Sequence, residues 1–358
     1  MSLKEFYAGK KVLVTGHGGF KGGWIVMLLR MLGASVYGYS LLPESKPRLY
    51  ELTRIPELLE GECIADTYDG FKLKSFMEQC KPEIVLHLAA QPLVLESYAN
   101  PVETYRTNVL GTLNVFEACR ASPSVKAVVN VTTDKCYENR DEGKPFKEDD
   151  PLGGYDMYSS SKACSEILSA SYRLSFLKGG KPFRLATARA GNVIGGGDFS
   201  KDRIIPDCVR ALSGNAKLQV RSPEAVRPWQ HVLEALYGYL RLAQALYNEE
   251  PECEGAFNFG PDNQAVLTVG ELVSCFYKVW GRKDSFNTQN AVFHEANCLR
   301  LDTAKAKQVL KVVPVLDVKE AVACTVDWYR VWFQGGGDLQ EFSFRQICEF
   351  LCRLESRL

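Results

Sequence analysis

Tyr158 and Lys162 stand four residues apart, downstream of the polar tetrapeptide Thr132-Thr133-Asp134-Lys135, and together these residues hold the parts of an acid–base site. The segment from about Met157 to Leu174 reads as helix, so residues i and i+4 share a face and the phenol lies beside the ammonium. A positive charge there favours phenolate and lowers a pKa that is ~10 when unperturbed, which suits Tyr158 to take a proton from a hydroxyl. Thr132, Thr133, Asp134 and Lys135 directly follow Val128-Val129-Asn130-Val131, whose β-branched character reads as a buried parallel strand. They therefore emerge at a strand's carboxyl end, where open α/β sheets put their ligands. Tyr-x-x-x-Lys alone is common on exposed helices; its setting is what gives it a chemical reading.

Other elements must carry this site, and the first is a short strand, Lys11 to Thr15, that runs into Gly16-His17-Gly18-Gly19-Phe20-Lys21-Gly22. Strand, glycine triplet Gly16, Gly19 and Gly22, then a helix from about Phe20 to Leu32 is the setting of a dinucleotide-binding turn. Its backbone approaches a pyrophosphate closely and the helix aims its first N–H groups at it. Ser35 to Ser40 reads as the second strand, and Ser40-Leu41-Leu42 stands where NAD enzymes commonly carry an acidic residue. Lys46 and Arg48 could meet a 2′-phosphate or be solvated loop charges, so NAD and NADP both remain open. Asp66 ends a third short strand, as an acceptor for an adenine amino group or as a surface carboxylate.

Ile84 to Gln91 is a fourth buried strand whose Leu88, Ala89 and Ala90 let a cofactor pass close to backbone. His87 inside it reads as a satisfied core histidine rather than a base. Pro101 to Ala121 reads as a helix containing Asn108 and Asn114, and Arg184 to Arg189 as a sixth strand. Strands alternating with helices predict an α/β fold, a Rossmann-type doubly wound parallel sheet with a smaller C-terminal substrate-binding lobe. The expected division is 1–190 for the dinucleotide domain with its Tyr/Lys helix, 191–334 for a lobe interleaved with it, and 335–358 for a helical extension. In the lobe, Gly191 to Asp198 reads as a flexible turn able to wrap a diphosphate. Arg221, Arg227, Trp229 and His231 cluster around Pro223 and Pro228, preceded by Lys201 and Arg203, as a diphosphate-and-base site or as lobe packing. Asp302 is a plausible N-cap, and Glu341 to Leu358 is amphipathic, with Ile347, Phe350, Leu351 and Leu354 on one side.

Composition narrows the ligands. Among 358 residues, 46% are hydrophobic, enough for a sizeable core, and Lys plus Arg equals Asp plus Glu at 43 each. With no net field, neither nucleic acid nor an anionic membrane is the expected partner, and a small anionic substrate must be met by a local cluster. The 12 cysteines form no C-x-x-C pair, and the 4 histidines (His17, His87, His231, His294) lack metal-ligand spacing. Free thiols, no apolar leader in Met1 to Phe6 and no long apolar run predict a cytoplasmic protein without metal or membrane span.

With these residues in view, the chain resembles the extended short-chain dehydrogenase/reductase family that acts on nucleotide sugars. The matching features are Thr15-Gly16-x-x-Gly19-x-x-Gly22, His87-Leu88-Ala89-Ala90, Thr133-Asp134-Lys135, Tyr158-x-x-x-Lys162, Asn192, Arg227 and Leu301-Asp302-x-x-Lys305-Ala306. Three longer strings, Gly16 to Gly22, Asp134 to Asn139 and Arg227 to Glu234, are similar to the family's 4,6-dehydratases. The resemblance implies a tightly held NAD(P) that is reduced and reoxidised within each turnover, bound by Gly16, Gly19, Phe20, Gly22, Asp66, Leu88, Ala89, Ala90, Tyr158 and Lys162. It implies a nucleotide-sugar substrate on Asn192, Arg203, Arg227 and His231, with Thr133, Asp134, Lys135, Tyr158 and Lys162 as the catalytic set. Tyr158 would open the sugar C4 to oxidation, and Asp134 would be the acid at C6, since a carboxyl facing a buried site can hold its proton. Other dehydratases place Glu after that Asp as the C5 base; Lys135 stands there instead, as base or as electrostatic support. A homodimer through the Pro101–Ala121 and Met157–Leu174 helices is also implied. The rivals are a dehydratase or 4-epimerase for a GDP-, dTDP- or UDP-linked sugar and a non-enzymatic dinucleotide sensor.

Overall fold

Side chains on successive strand residues point to opposite faces, and that alternation sorts the central strands between two cores. Val12, Val14, Ile84, Leu86 and Val129 pack on one side of the sheet, while Leu13, Val85 and Val128 pack on the other. Both faces are covered by helices, which is why the strands read as continuous apolar runs. The computed structural model describes residues 1–179, 182–214, 217–261, 266–283, 286–289, 298–335 and 337–357. His294, Gly336 and Leu358 lie outside them.

Six strands, β1 (Lys11–Thr15), β2 (Ser35–Ser40), β3 (Gly61–Ile64), β4 (Ile84–His87), β5 (Ala127–Val131) and β6 (Arg184–Ala190), lie in the order β3-β2-β1-β4-β5-β6. The Gly255–Phe259 strand adds to the outside of β6, so the chain returns from its second half to complete the sheet. Every pairing in this sheet is parallel. The order reverses at β1, whose Thr15 lies opposite both Tyr39 of β2 and His87 of β4. Crossovers to either side open a crevice at that carboxyl edge.

The helix after the glycine turn, Phe20–Met31, buries every residue from Gly22 to Leu29, as a helix apolar on all sides must. The expected helix from Pro101 to Ala121 is interrupted. Pro101–Tyr105 and Thr112–Arg120 are α-helical, and Arg106–Gly111 between them is a wider π turn. Asn108 in that turn is fully buried; its side chain accepts from the Gln91 N–H and donates to the Gln91 carbonyl and Ser161 Oγ. The extra residue lets one amide brace the end of β4 against the Tyr158 helix, at a place where π turns often mark function.

After β6 the chain forms short strand pairs. Val193–Ile194 pairs with Gln230–His231, Val226–Arg227 with Leu267–Thr268, and Leu218–Val220 with Phe286–Thr288. The turn expected to be flexible at Gly191–Asp198 is instead close-packed: a Cβ on Gly196 would lie 2.0 Å from the Trp328 ring. The glycines there make room for a helix that arrives much later in the chain. The predicted cap Asp302 does accept from Ala304 N at 2.8 Å, although Thr303 holds the N-cap position. The last helix, Leu339–Glu355, buries Ile347, Phe350 and Leu354 against the body, with Ser343 Oγ accepting from Trp328 Nε1. Among the described residues, no helix is long and apolar enough to cross a membrane, and no group of three His, Cys, Asp or Glu could hold a metal ion.

Candidate active site

The crevice at the end of β1 is shaped by what is missing from its glycines. Gly16 has φ +79°, and a Cβ on it would lie 2.7 Å from the Ala89 nitrogen and 2.8 Å from the Leu88 carbonyl carbon. A Cβ on Gly22 would lie 1.9 Å from the Gly16 carbonyl oxygen, so the helix can close on the turn only without one. Gly19 sits at the N-cap with no side-chain cap, leaving the first helical N–H groups to an outside acceptor. Ser40 Oγ accepts from Gly18 N at 3.2 Å and lies 3.2 Å from His17 Nδ1, whose Nε2 meets Glu62 Oε2 at 3.0 Å. Ser40, at the end of β2, therefore holds the loop's shape. Thr15 Oγ1 accepts from Ala89 N at 3.3 Å and fixes the Leu88–Ala90 segment across the crevice. Phe20 closes the far side toward Gly195. This bare-backbone cradle, with helix N–H groups facing it, fits a dinucleotide pyrophosphate.

Asp66 stays half-buried at the crevice's outer end, where Oδ2 pairs with Arg106 Nη2 at 2.8 Å and Oδ1 accepts from Tyr68 N. Arg48 has a carboxylate partner of its own in Glu51, at 2.8 Å. His87 bonds Thr15 Oγ1 and Thr112 Oγ1 through its two nitrogens, and burial pulls its pKa down to about 3. It is the satisfied core histidine that its apolar surroundings predicted.

The Tyr158 helix, Met157–Phe176, is capped by Asp156, whose carboxylate accepts from Ser159 N. Tyr158 and Lys162 are both buried, and Lys162 Nζ donates to the Val131 carbonyl at the end of β5, 3.2 Å away. Burial lowers the Lys162 ammonium to about 8, against the pull of Glu166. Burial also pushes the Tyr158 phenol up to about 12, while a hydrogen bond with Thr133 and the Arg203 charge pull it down. The depression expected from Lys162 is not what sets this pKa: desolvation leads, and the charges that act on the phenol are those of Arg203, Asp134 and Asp156.

Thr133 joins the two halves of the site. It bonds Tyr158, and its Oγ1 donates to Asp134 Oδ1 at 3.1 Å. Asp134 is fully buried and its Oδ2 has no partner; it faces Gly191, where a Cβ would stand 3.1 Å from it. Lys135 Nζ lies 3.5 Å from Asp134 Oδ1 and keeps 26% of its side chain exposed. The arrangement offers a phenol, a carboxyl oxygen with nothing to bond and an ammonium around one space. Such a set can take a proton at one atom of a ligand and give one at another.

The lobe residues divide. Arg203 pairs with Asp198 at 2.9 Å and its charge reaches Tyr158, which brings it to the site. Asn192 holds a buried Oδ1 without a partner close to the Gly191–Asp134 contact. Arg227 is buried on a short strand and donates to its neighbour's carbonyl, Val226 O. His231, implied as a substrate contact, is also a structural residue, and its buried Nε2 has no hydrogen-bond partner among the described residues. It is 1% exposed, its Nδ1 accepts from Leu233 N as the N-cap of the Val232–Tyr247 helix, and its ring packs edge-on to Trp24.

One supporting group escaped the sequence reading. Glu166 accepts from Thr132 Oγ1, from Thr187 Oγ1 and from Arg189 Nη2, and Arg189 Nη1 donates to Tyr137 OH. This buried network ties β5, β6 and the Tyr158 helix together one turn beyond Lys162. A carboxylate at i+4 from a buried lysine, on the same helix face, was its signal.

With that geometry in place, comparison with known proteins adds the relationship. The model of the "NAD dependent epimerase/dehydratase family" matches residues 12–260. The chain belongs to this family. As a member it is an NAD-dependent enzyme, in agreement with the cradle at Gly16–Gly22. The CDP-glucose 4,6-dehydratase of Salmonella typhimurium is 42% identical over 97% of this chain and 98% of its own length. The dTDP-glucose 4,6-dehydratase of Xanthomonas campestris is 26% identical over 90% and 95%. Among solved structures, dTDP-glucose 4,6-dehydratase from Bacillus anthracis in complex with NAD has a TM-score of 0.76 at 22% identity, covering 90% of this chain and 97% of that one. UDP-glucose 4-epimerase from Thermotoga maritima with UDP-glucose scores 0.78 at 21% identity, covering 90% and 99%. These two share the doubly wound fold.

Proposed function

We propose that the chain is a CDP-glucose 4,6-dehydratase, converting CDP-D-glucose to CDP-4-keto-6-deoxy-D-glucose with net loss of water. The reaction rests on one observation above all: a fully buried Asp134 whose Oδ2 has no partner shares Thr133 with Tyr158. The nucleotide rests on the near full-length similarity to the Salmonella dehydratase.

Bound NAD supplies a temporary store for hydride, taken from sugar C4 and returned at C6. The chain's own residues handle the protons. Tyr158, aligned by Thr133 and with Lys162 one turn along the same helix, removes the C4 hydroxyl proton. The 4-ketone acidifies the C5 hydrogen, which is removed with Lys135 as base or as support for the enolate. Asp134 protonates the C6 hydroxyl as it leaves. Gly16, Gly19, Phe20, Gly22, Asp66 and Leu88–Ala90 hold the dinucleotide, and Asn192, Arg203 and Arg227 meet the substrate. The lobe from 191 to 334 covers that substrate.

A 4-epimerase needs Tyr158, Thr133 and Lys162 but has no use for an acid at C6, so Asp134 favours dehydration over that reading. A sensor needs neither. The exposed apolar residues Val102, Leu110, Ile167 and Leu174 on the two implied helices support a homodimer through them. The cysteines, free among the described residues, fit a cytoplasmic setting. Incubation of the purified protein with CDP-glucose and NAD tests the proposal. It predicts the alkaline absorbance of a 4-keto-6-deoxy sugar nucleotide. An epimer as product would overturn the reaction, and turnover of GDP-, dTDP- or UDP-glucose alone would overturn the nucleotide.

A further inference from the structure

Trp328 and Tyr329 are neighbours in the Val318–Gln334 helix, both are fully buried, and each gives its polar atom a specific partner. The Trp328 ring fills the space that a side chain on Gly196 would need, and its Nε1 donates to Ser343 Oγ of the Leu339–Glu355 helix at 2.9 Å. The Tyr329 hydroxyl donates to the Asp198 carbonyl, and its ring stands edge-on to Phe199 at 5.8 Å. Burial, then the Asp198 charge, push the Tyr329 phenol well above its ordinary value, so it stays a donor. From the opposite side Trp24 Nε1, in the Phe20–Met31 helix, donates to the Gly196 carbonyl at 2.9 Å. The turn is thus held from both sides, and what it carries is Asp198. Oδ1 of Asp198 accepts from Ser200 N at 3.0 Å and Oδ2 from Arg203 Nη1 at 2.9 Å. With Tyr329 on its carbonyl, every acceptor group of that residue is engaged. Asp198 is 5% exposed, whereas the Arg203 side chain keeps 33% of its surface open. A guanidinium has five N–H donors in a planar fork, and Asp198 takes one at Nη1, which leaves the rest of the fork for an arriving anion.

We propose that Tyr329 is a positioning residue for Arg203: its hydroxyl fixes the Asp198 main chain, and the Asp198 carboxylate then holds the guanidinium at one reach and one angle for the diphosphate of the substrate. A long side chain loses rotamer freedom when it binds, and an arginine already held loses less. The gain is in affinity for the nucleotide sugar, and neither proton nor hydride transfer depends on it. The helix that ends the substrate lobe thereby acts on a residue of the crevice that it does not itself line. The proposal rests on Arg203 as a diphosphate contact and is independent of which base the sugar nucleotide carries.

The test is a double-mutant cycle on KM, run with the nucleotide sugar that the product assay shows to be turned over. Tyr329→Phe keeps the ring against Phe199 and removes only the hydroxyl. KM is expected to rise ~5-fold, the scale of one lost hydrogen bond, while kcat and the dissociation constant for NAD stay within about twofold. In an Arg203→Met background the same change is expected to alter KM by less than about twofold, because a residue that acts through Arg203 has nothing left to act on. An equal rise in both backgrounds overturns the proposal and leaves Tyr329 as packing. So does a fall in kcat at constant KM. A raised KM in Arg203→Met beside an unchanged KM in Tyr329→Phe overturns the proposal and leaves Arg203 as the diphosphate contact. An unchanged KM in Arg203→Met removes that contact, and the proposal with it. If Tyr329→Phe does not fold, Tyr329→Met takes its place under the same reading.

Discussion

The two sides of the crevice are built differently. On the dinucleotide side the working surface is backbone: Gly16 and Gly22 exclude side chains and Leu88–Ala90 present main chain. On the side proposed for the sugar it is side chain throughout, with Tyr158, Thr133, Asp134 and Lys135 drawn from two segments and Arg203 from a third. A backbone surface fails by steric obstruction and loses binding. A side-chain surface fails by loss of a proton site and loses rate.

That contrast is open to test, and the largest effect is expected on the sugar side. Tyr158→Phe removes the group that takes the C4 proton, and turnover should fall by ~10³-fold, within the range for a positioned acid–base group. Its NAD affinity should stay within about threefold by titration, since only one hydroxyl of the pocket is lost. A parallel loss of both would erase the distinction between the two sides. Gly22→Ala is the complementary change. The added methyl must push the helix off the Gly16 carbonyl, so dinucleotide affinity should drop by ~10- to 100-fold, the equivalent of 1–3 kcal/mol of overpacking. Unaltered NAD binding in a folded Gly22→Ala protein would show that the cradle is looser than its geometry.

Arg203→Met should raise KM for the sugar nucleotide by ~10-fold and leave the dissociation constant for NAD nearly constant. A change confined to NAD would move Arg203 to the other side of the crevice.

The smallest effect is expected at His231, the buried N-cap of the Val232–Tyr247 helix. Its folded pKa is depressed from 6.5 to about 3 by burial, so the unfolded chain binds the extra proton first. Its contribution is complete above about pH 6.5 and lost as pH falls toward 3. His231→Asn keeps a capping side chain and removes the titration, so its Tm should fall less steeply than the parent's between pH 7 and pH 4, as read by thermal unfolding. Identical slopes would mean that His231 is protonated or exposed in the native protein.

The same contrast explains how far the sequence could be read. The glycine turn and the Tyr158–Lys162 pair are each complete within a few residues, so their spacing displayed them, and the alternation of strands and helices displayed the sheet. The lobe's roles depend on partners far along the chain. Gly195–Gly197 looked like a mobile turn because Trp328, which packs over Gly196, comes much later. The packing of His231 against Trp24 was hidden too, because Trp24 stands far earlier in the chain. The π turn at Arg106–Gly111 was hidden in a run of ordinary helix formers, because it is the buried Asn108 side chain that holds it. Tyr158 lies on the expected helix and bonds Thr133, but its pKa moves opposite to the expectation, since desolvation depends on walls that no local spacing reveals.

The central claim is that Tyr158 and Asp134 act on separate steps, and single-turnover kinetics of Asp134→Asn with CDP-glucose test it most directly. Reduced nicotinamide formed from C4 oxidation is read in the near ultraviolet, and loss of water from the product by mass spectrometry. The account predicts that reduced nicotinamide still appears and accumulates while the 4-keto-6-deoxy product slows by ~100-fold or more. Equal slowing of both signals would contradict it, and would make Asp134 a part of the C4 oxidation rather than the acid at C6.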